Sequence, residues 1–262
     1  MNEIKVRGIV LREDAMGDKD KRVVLLTAEM GKITLLAKGA LSPKSKVRTL
    51  TSQFSYGEYV LTKGKTFYYI KEGTLIESFY GLRQSIERLA YGSWMLEVAE
   101  VFSLEGQENS DLLQLILRGL YYEMKSEPGM EALPADITVF RVLAENGFFP
   151  ELTRCRENRG GEEEAPYHPL TEEPVVFLPA VGSLICAACA RRGLGGAGIR
   201  LSLGALAALR YTVEQPVKSA YAFTVSEAVG KQIHEAVTDY LLEQTDHSFT
   251  SLNFISKIAP AP

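Results

Sequence analysis

Apolar and polar positions alternate with a period of two through roughly the first quarter of the chain. Segments of strand length, rich in β-branched and aromatic residues and bounded by Gly and polar clusters, run from Ile4 to Arg12, Arg22 to Ala28, Lys32 to Lys38, Gln53 to Thr62 and Thr66 to Ile76. Five short strands so closely spaced predict a small Greek-key barrel of the OB type. Near Tyr80 the period lengthens. Leu82, Ile86, Leu89, Ala90, Met95, Leu96 and Val98 recur at helical spacing with Arg83, Glu87, Arg88 and Glu97 between them. A second helical stretch opens at Asn109-Ser110-Asp111 and ends at Pro128-Gly129, and a third starts at Pro134 and stops at Asn146-Gly147. Residues 151 to 200 break the pattern with a charged Gly-containing run, a short hairpin-like Pro174 to Leu178 and the Gly-rich Gly193 to Gly198. Helices resume over Leu203 to Val213 and Val225 to Leu242, the latter opened by Thr224 and Glu227 in capping-box spacing. Its stripe of Val225, Val229, Ile233, Val237, Tyr240 and Leu241 reads as core, and the tail from Ser251 to Ile258 is short and amphipathic. The expected class is α+β: a five-stranded OB-fold barrel at residues 1–79, then a mostly α-helical domain at 80–262 carrying a small cysteine-containing insertion at about 151–200.

Charge divides the chain the same way. Residues 1–80 carry a net +5 and residues 81–262 a net −9, which together give the −4 of the whole. From Met30 to Lys71 stand Lys32, Lys38, Lys44, Lys46, Arg48, Lys63, Lys65 and Lys71 against one acid, Glu58. A basic, aromatic barrel face is a recurrent platform for single-stranded nucleic acid, because cations track phosphates while bases stack on rings. A solvated charged face is the plainer alternative. A hydrophobic content of 46% suffices for a sizeable core. The opening Met-Asn-Glu-Ile-Lys-Val-Arg has no apolar core of signal-peptide length, and no stretch approaches the roughly eighteen apolar residues of a membrane span, so the expected location is the cytoplasm.

Cys155 and the knuckle-like Cys186-Ala-Ala-Cys189 form the sharpest local signal. Zinc takes four tetrahedral ligands, and Asn158 stands where a second Cys-x-x-Cys would place its other thiolate. Two readings stay open: a zinc site with Cys155, Cys186, Cys189 and a substitute ligand, for which His168 is a candidate, or a decayed knuckle of reduced thiols. Catalysis finds no support. Zinc deaminases need Pro-Cys-x-x-Cys with His-x-Glu, but Ile185 precedes Cys186 and none of His168, His234 and His247 is followed by Glu at that spacing. Thioredoxin-type chemistry lacks its βαβ unit, Gly193-Leu-Gly195-Gly196-Ala-Gly198 lacks the strand that a dinucleotide loop requires before it, and no Walker or nucleophile motif occurs.

Gly8-Ile-Val-Leu-Arg12, Gly17-Asp-Lys-Asp-Lys-Arg22, Gly31-Lys-Ile-Thr, Ala37-Lys-Gly-Ala40 and Pro43-Lys-Ser-Lys resemble the N-terminal OB-fold of the RecO family of bacterial recombination mediators. The resemblance continues through Glu145-Asn-Gly-Phe-Phe-Pro-Glu-Leu152, Gly182-Ser-Leu-Ile-Cys-Ala-Ala-Cys189 and Ser251-Leu-Asn-Phe254. It implies a protein without catalytic turnover, located in the cytoplasm at the nucleoid. Such a protein binds single- and double-stranded DNA, anneals complementary strands, and works with RecR and single-stranded DNA-binding protein to load RecA. It requires no cofactor, though the family often carries a four-cysteine zinc element, from which this chain departs at Asn158. The corresponding DNA contacts are Lys38, Lys44, Lys46 and Arg48 on a mobile loop, with Arg22, Lys63 and Lys65 nearby. Phe67 and Tyr69, or Tyr68, would stack on bases, depending on which set alternation turns outward. An apolar groove edged by Arg or Lys in the helical half would take an acidic tail ending in an aromatic residue. The competing class is an OB-fold scaffold that binds protein or RNA without annealing DNA.

Overall fold

A computed structural model describes residues 3–159 and 168–258, with 158 and 159 described by their backbone alone. Strands β1 (Glu3–Met16), β2 (Asp20–Thr27), β3 (Gly31–Ala37), β4 (Tyr56–Lys63) and β5 (Tyr68–Glu77) close into a barrel in the order β1-β2-β3-β5-β4. All neighbouring pairs are antiparallel except β3 with β5, the OB arrangement that the alternation predicts. Inward positions Val6, Val10, Val23, Leu25, Ile33, Leu35, Tyr59 and Leu61 fill its interior. Strand β3 buries every second residue, whereas Val23 to Thr27 of β2 are all buried. The sequence records this difference: Val23-Val-Leu-Leu is continuously apolar because neither face of that stretch meets water.

The chain packs as two compact units, Met1–Lys125 with Phe249–Pro262 and Ser126–Ser248. In the first, the barrel is joined by α1 (Ile86–Phe102), α2 (Ser110–Glu123) and α7 (Thr250–Ile258). The β2–β3 turn is embedded: Lys32 N donates to Leu104 O at 3.2 Å, and Lys32 Nζ reaches Glu100 O at 2.6 Å, at the carbonyl end of α1. Gly31 sits here at φ +64°, where an added Cβ would lie 2.2 Å from Leu104 O and 2.4 Å from Gln107 O. Gly31→Ala therefore combines a left-handed backbone with a backbone clash, and is expected to cost about 3 kcal/mol in thermal unfolding of the full chain. An unchanged melting temperature would contradict the embedded turn. Helix α7 is tied to α1 through Glu97, whose carboxylate accepts from the backbone N–H of Thr250 and of Ser251 at 2.9 Å each and from the Ser251 hydroxyl. An anion at the helix N-terminus satisfies donors that have no partner within the helix.

The second unit holds α3 (Ala132–Glu145), α5 (Leu203–Glu214) and α6 (Glu227–Thr245). A small antiparallel sheet, made by β6 (Val175–Leu178), β7 (Ser183–Ile185) and β8 (Ile199–Leu201) in the order β7-β6-β8, packs on α6. Tyr240 is the centre of this packing, with its ring 5.5 Å from Phe177 and 6.1 Å from Phe140 and its hydroxyl donating to Phe148 O at 3.0 Å. Among the described residues, what reads as an irregular insertion is thus an ordered sheet with α4 (Ala187–Arg191), too short in each strand to show a period. Helix α6 is capped by Ser226, whose Oγ accepts from Val229 N at 3.4 Å, rather than by Thr224, because Ser226 keeps the extended backbone of a cap just before the first turn. The expected strand over Gln53–Thr62 begins only at Tyr56: Phe54 is buried in a left-handed corner, φ 72°, with the Arg83 guanidinium 5.9 Å from its ring centre. Among the described residues no helix is long and apolar enough to cross a membrane.

Candidate nucleic-acid face and cysteine cluster

Strand register gathers the first group of residues. Arg22 on β2 lies opposite Leu36 on β3, Leu36 opposite Tyr69 on β5, and Tyr69 opposite Thr62 on β4, so the four form one outward row across the barrel. Alternation settles which aromatic faces out. Tyr68 packs against the barrel core, and Tyr69 stands on the outer surface. Lys38, just past the end of β3, holds its Nζ 5.2 Å from the centre of the Tyr69 ring. Lys63 and Lys65, both exposed, flank Gly64 in a tight turn closed by Gly64 N donating to Phe67 O at 2.9 Å. A Cβ on Gly64 would come within 2.4 Å of Tyr69 Cε2, so the ring rests directly on this turn.

Lys44, Lys46 and Arg48 are exposed on the long β3–β4 connection. That connection is a run of hydrogen-bonded turns anchored in the barrel. Ala40 and Leu50 are buried in the core, Val47 packs against it, Leu41 N donates to Lys19 O at 2.9 Å, and the Tyr59 hydroxyl donates to Leu50 O at 3.0 Å. Burial raises the Tyr59 phenol well above its ordinary value and keeps it a donor. Among the described residues, no hydrogen bond, ion pair or ring contact links Lys44, Lys46 or Arg48 to the Tyr69 group.

Several other cations of the barrel are compensated, although exposed Lys5 and Lys19 have no acid within ion-pair distance among the described residues. Arg7 pairs with Glu58 at 2.9 Å, Arg12 with Asp14 and Glu100, Lys21 with Glu13 and Lys71 with Glu3. Of the seven predicted contacts, only Arg22 is paired with an acid among the described residues, 2.9 Å from Asp14. That carboxyl is held below its ordinary value by the hydrogen bond from Arg22, with Arg12 adding to the effect. Among the described residues, no acid stands within ion-pair distance of Lys38, Lys44, Lys46, Arg48, Lys63 or Lys65. Their charge is available to a polyanion.

The second constellation is the cysteine cluster. Cys186 follows β7 and caps α4, Cys189 lies within α4, and Cys155 bridges to Leu184 of β7. Cys186 N donates to Cys155 Sγ at 3.3 Å, and Cys189 N to Cys186 Sγ at 3.4 Å. His168 completes the group with Nδ1 3.1 Å from Cys189 Sγ, and the four donor atoms all lie within 4.8 Å of one another. Tetrahedral zinc with bonds of about 2.3 Å to sulfur and 2.0–2.1 Å to nitrogen sets ligand atoms a little under 4 Å apart, so a small contraction of this set fits the ion. Burial, with the neighbouring Cys186 and Cys155, pushes the Cys189 thiol up to about 12. Burial also acts to raise Cys186, but hydrogen bonds from the Cys189 and Ala188 backbone and from the neighbouring thiols bring it below its ordinary value. Asn158, where the spacing calls for a fourth thiolate, has a side chain outside the described residues, as does the Gly160 to Glu164 run.

The family description "Recombination protein O N terminal" matches residues 1–79, and "Recombination protein O C terminal" matches residues 83–253. The chain belongs to the RecO family. Curated relatives named "DNA repair protein RecO" run alongside it almost end to end. That of Acetivibrio thermocellus is 32% identical over 260 residues, 98% of this chain and 98% of the relative. That of Symbiobacterium thermophilum is 30% identical over 98% of each chain. That of Alkaliphilus metalliredigens is 28% identical, over 97% of this chain and 99% of its own. In this RecO-family chain the barrel with its uncompensated cations falls within the first match and the cysteine cluster within the second.

Proposed function

We propose that the chain is a recombination mediator in DNA repair that binds single- and double-stranded DNA and anneals complementary strands. It helps load RecA onto strands coated with single-stranded DNA-binding protein, acting together with RecR in the cytoplasm, at the nucleoid. The observation that carries this reading is the set of cations on the barrel that lack an acidic partner among the described residues, in a chain whose relatives are named for DNA repair. The proposed mechanism makes and breaks no covalent bond. Two polyanionic strands repel, and Lys38, Lys44, Lys46, Arg48, Lys63 and Lys65, with Arg22 once it exchanges Asp14 for a phosphate, offset that repulsion and release condensed counterions. The proposed division assigns DNA to residues 1–79 and partner docking to 80–262, where an apolar groove would receive an acidic tail ending in an aromatic residue.

Zinc is proposed as a structural ion, held by Cys155, Cys186, Cys189 and His168, that would tie the residue 168 segment to β7 and α4. The test of function is gel shift and strand annealing with the full chain at two salt concentrations, using single-stranded DNA, duplex DNA and RNA. The proposal expects both DNA forms to bind, weakening as salt rises, and complementary strands to anneal. Binding of RNA alone, or of no nucleic acid, would replace it with the scaffold reading.

A further inference from the structure

We infer that Tyr69 is a seat for one unpaired base, uncovered when Lys38 leaves its ring for a phosphate, and that this seat is what distinguishes single strands from duplex. The inference rests on the DNA-binding reading above. Four observations meet at this point. Strand register turns Tyr69 outward while its neighbour Tyr68 packs into the barrel. The ring lies against Gly64, and any larger residue there would displace it. Leu36, half-buried and directly opposite Tyr69, extends the apolar floor by one side chain. Finally, Lys38 lies 5.2 Å from the ring centre, and exposed Lys63 and Lys65 flank the Gly64 turn on which the ring rests, all three without an acid in ion-pair distance among the described residues.

A cation over a half-buried ring at the surface is a weak contact, because a quadrupole competes poorly with water for an ammonium. An arriving phosphate offers Lys38 a full opposite charge, and the aromatic face it vacates is open to a base. Every base has a π-face, so the seat is indifferent to sequence. A duplex keeps its bases stacked inside and can use only the surrounding cations. Discrimination therefore comes from Tyr69 and affinity from the lysines.

The experiment measures binding of the full chain to three fluorescein-labelled ligands of equal length: oligo-dT, an abasic oligomer with the same backbone, and a duplex. The wild-type chain is expected to bind oligo-dT more tightly than the abasic strand. Tyr69→Ala should lose about tenfold in affinity for oligo-dT, within the range for one base stacked on an aromatic ring, and change little toward the other two. Tyr69→Phe should behave as wild type, and Tyr69→Trp should show emission quenched by oligo-dT but not by the abasic strand. Lys38→Ala should weaken all three ligands alike. Equal losses on all three ligands for Tyr69→Ala, or no loss on any, overturn the seat while leaving DNA binding intact. A wild-type chain that binds none of the three overturns the underlying reading as well.

Discussion

Replacing Lys44, Lys46 and Arg48 together by alanine is expected to lower single-strand affinity about a hundredfold near 0.1 M salt and to flatten its salt dependence by about two logarithmic units per decade. The magnitude follows from counterion release: each neutralised phosphate of a single strand contributes roughly 0.7 to the slope of log K against log salt, and three contacts are removed. The three side chains are exposed, and no acid among the described residues pairs with them, so their loss takes little from the fold. The loop's anchors, Ala40, Val47 and Leu50, are untouched. Because the contacts go to phosphate, the loss should be the same for every base sequence. Titration of a labelled oligonucleotide at several salt concentrations reads both quantities, and an unchanged slope would remove this loop from the DNA interface.

Metal removal should produce the largest change in stability. Elemental analysis of the chain from zinc-replete cells is expected to find stoichiometric zinc, and Cys186→Ser or His168→Ala to abolish it, whereas His168→Cys keeps it. If free zinc stands a thousandfold above its dissociation constant, chelation takes away on the order of 4 kcal/mol of stability. That corresponds to roughly 15 °C in the melting of a unit of this size. The cobalt-substituted protein separates the ligand sets, since its charge-transfer bands report sulfur coordination and should strengthen in His168→Cys. Metal-free protein whose melting does not respond to chelators would return the cluster to a decayed knuckle of packed thiols.

The barrel was legible because its signal is local. Alternation in β3 and β4 and the continuous apolar run of β2 each follow from which faces of a strand meet water, and a sequence records that directly. Phe54 was not legible: an aromatic inside an apolar run reads as strand, and only the tertiary corner with Arg83 holds it at positive φ. The embedding of Gly31 against Leu104 and the capping of α7 by Glu97 join residues 73 and about 150 positions apart, and no periodicity encodes such pairs. For the candidate site, composition gave the cations but not their partners. Arg22 and Lys38 look alike in sequence, yet one faces Asp14 and the other a ring. Tyr69 could be told from Tyr68 only once the register of β3 with β5 was fixed. His168 carries no spacing signal because the segment that brings it to Cys189 is a loop, and loops do not impose a ligand interval as a Cys-x-x-Cys turn does.

The central claim is that cations gathered on a small barrel neutralise phosphates. Its most direct test is the equilibrium affinity of the full chain for a single-stranded oligonucleotide measured across a range of salt. With the six predicted contacts that lack an acidic partner among the described residues, the account predicts that log K falls with log salt at a slope near −4, about 0.7 per contact. A slope indistinguishable from zero, or no measurable binding at low salt, would contradict it.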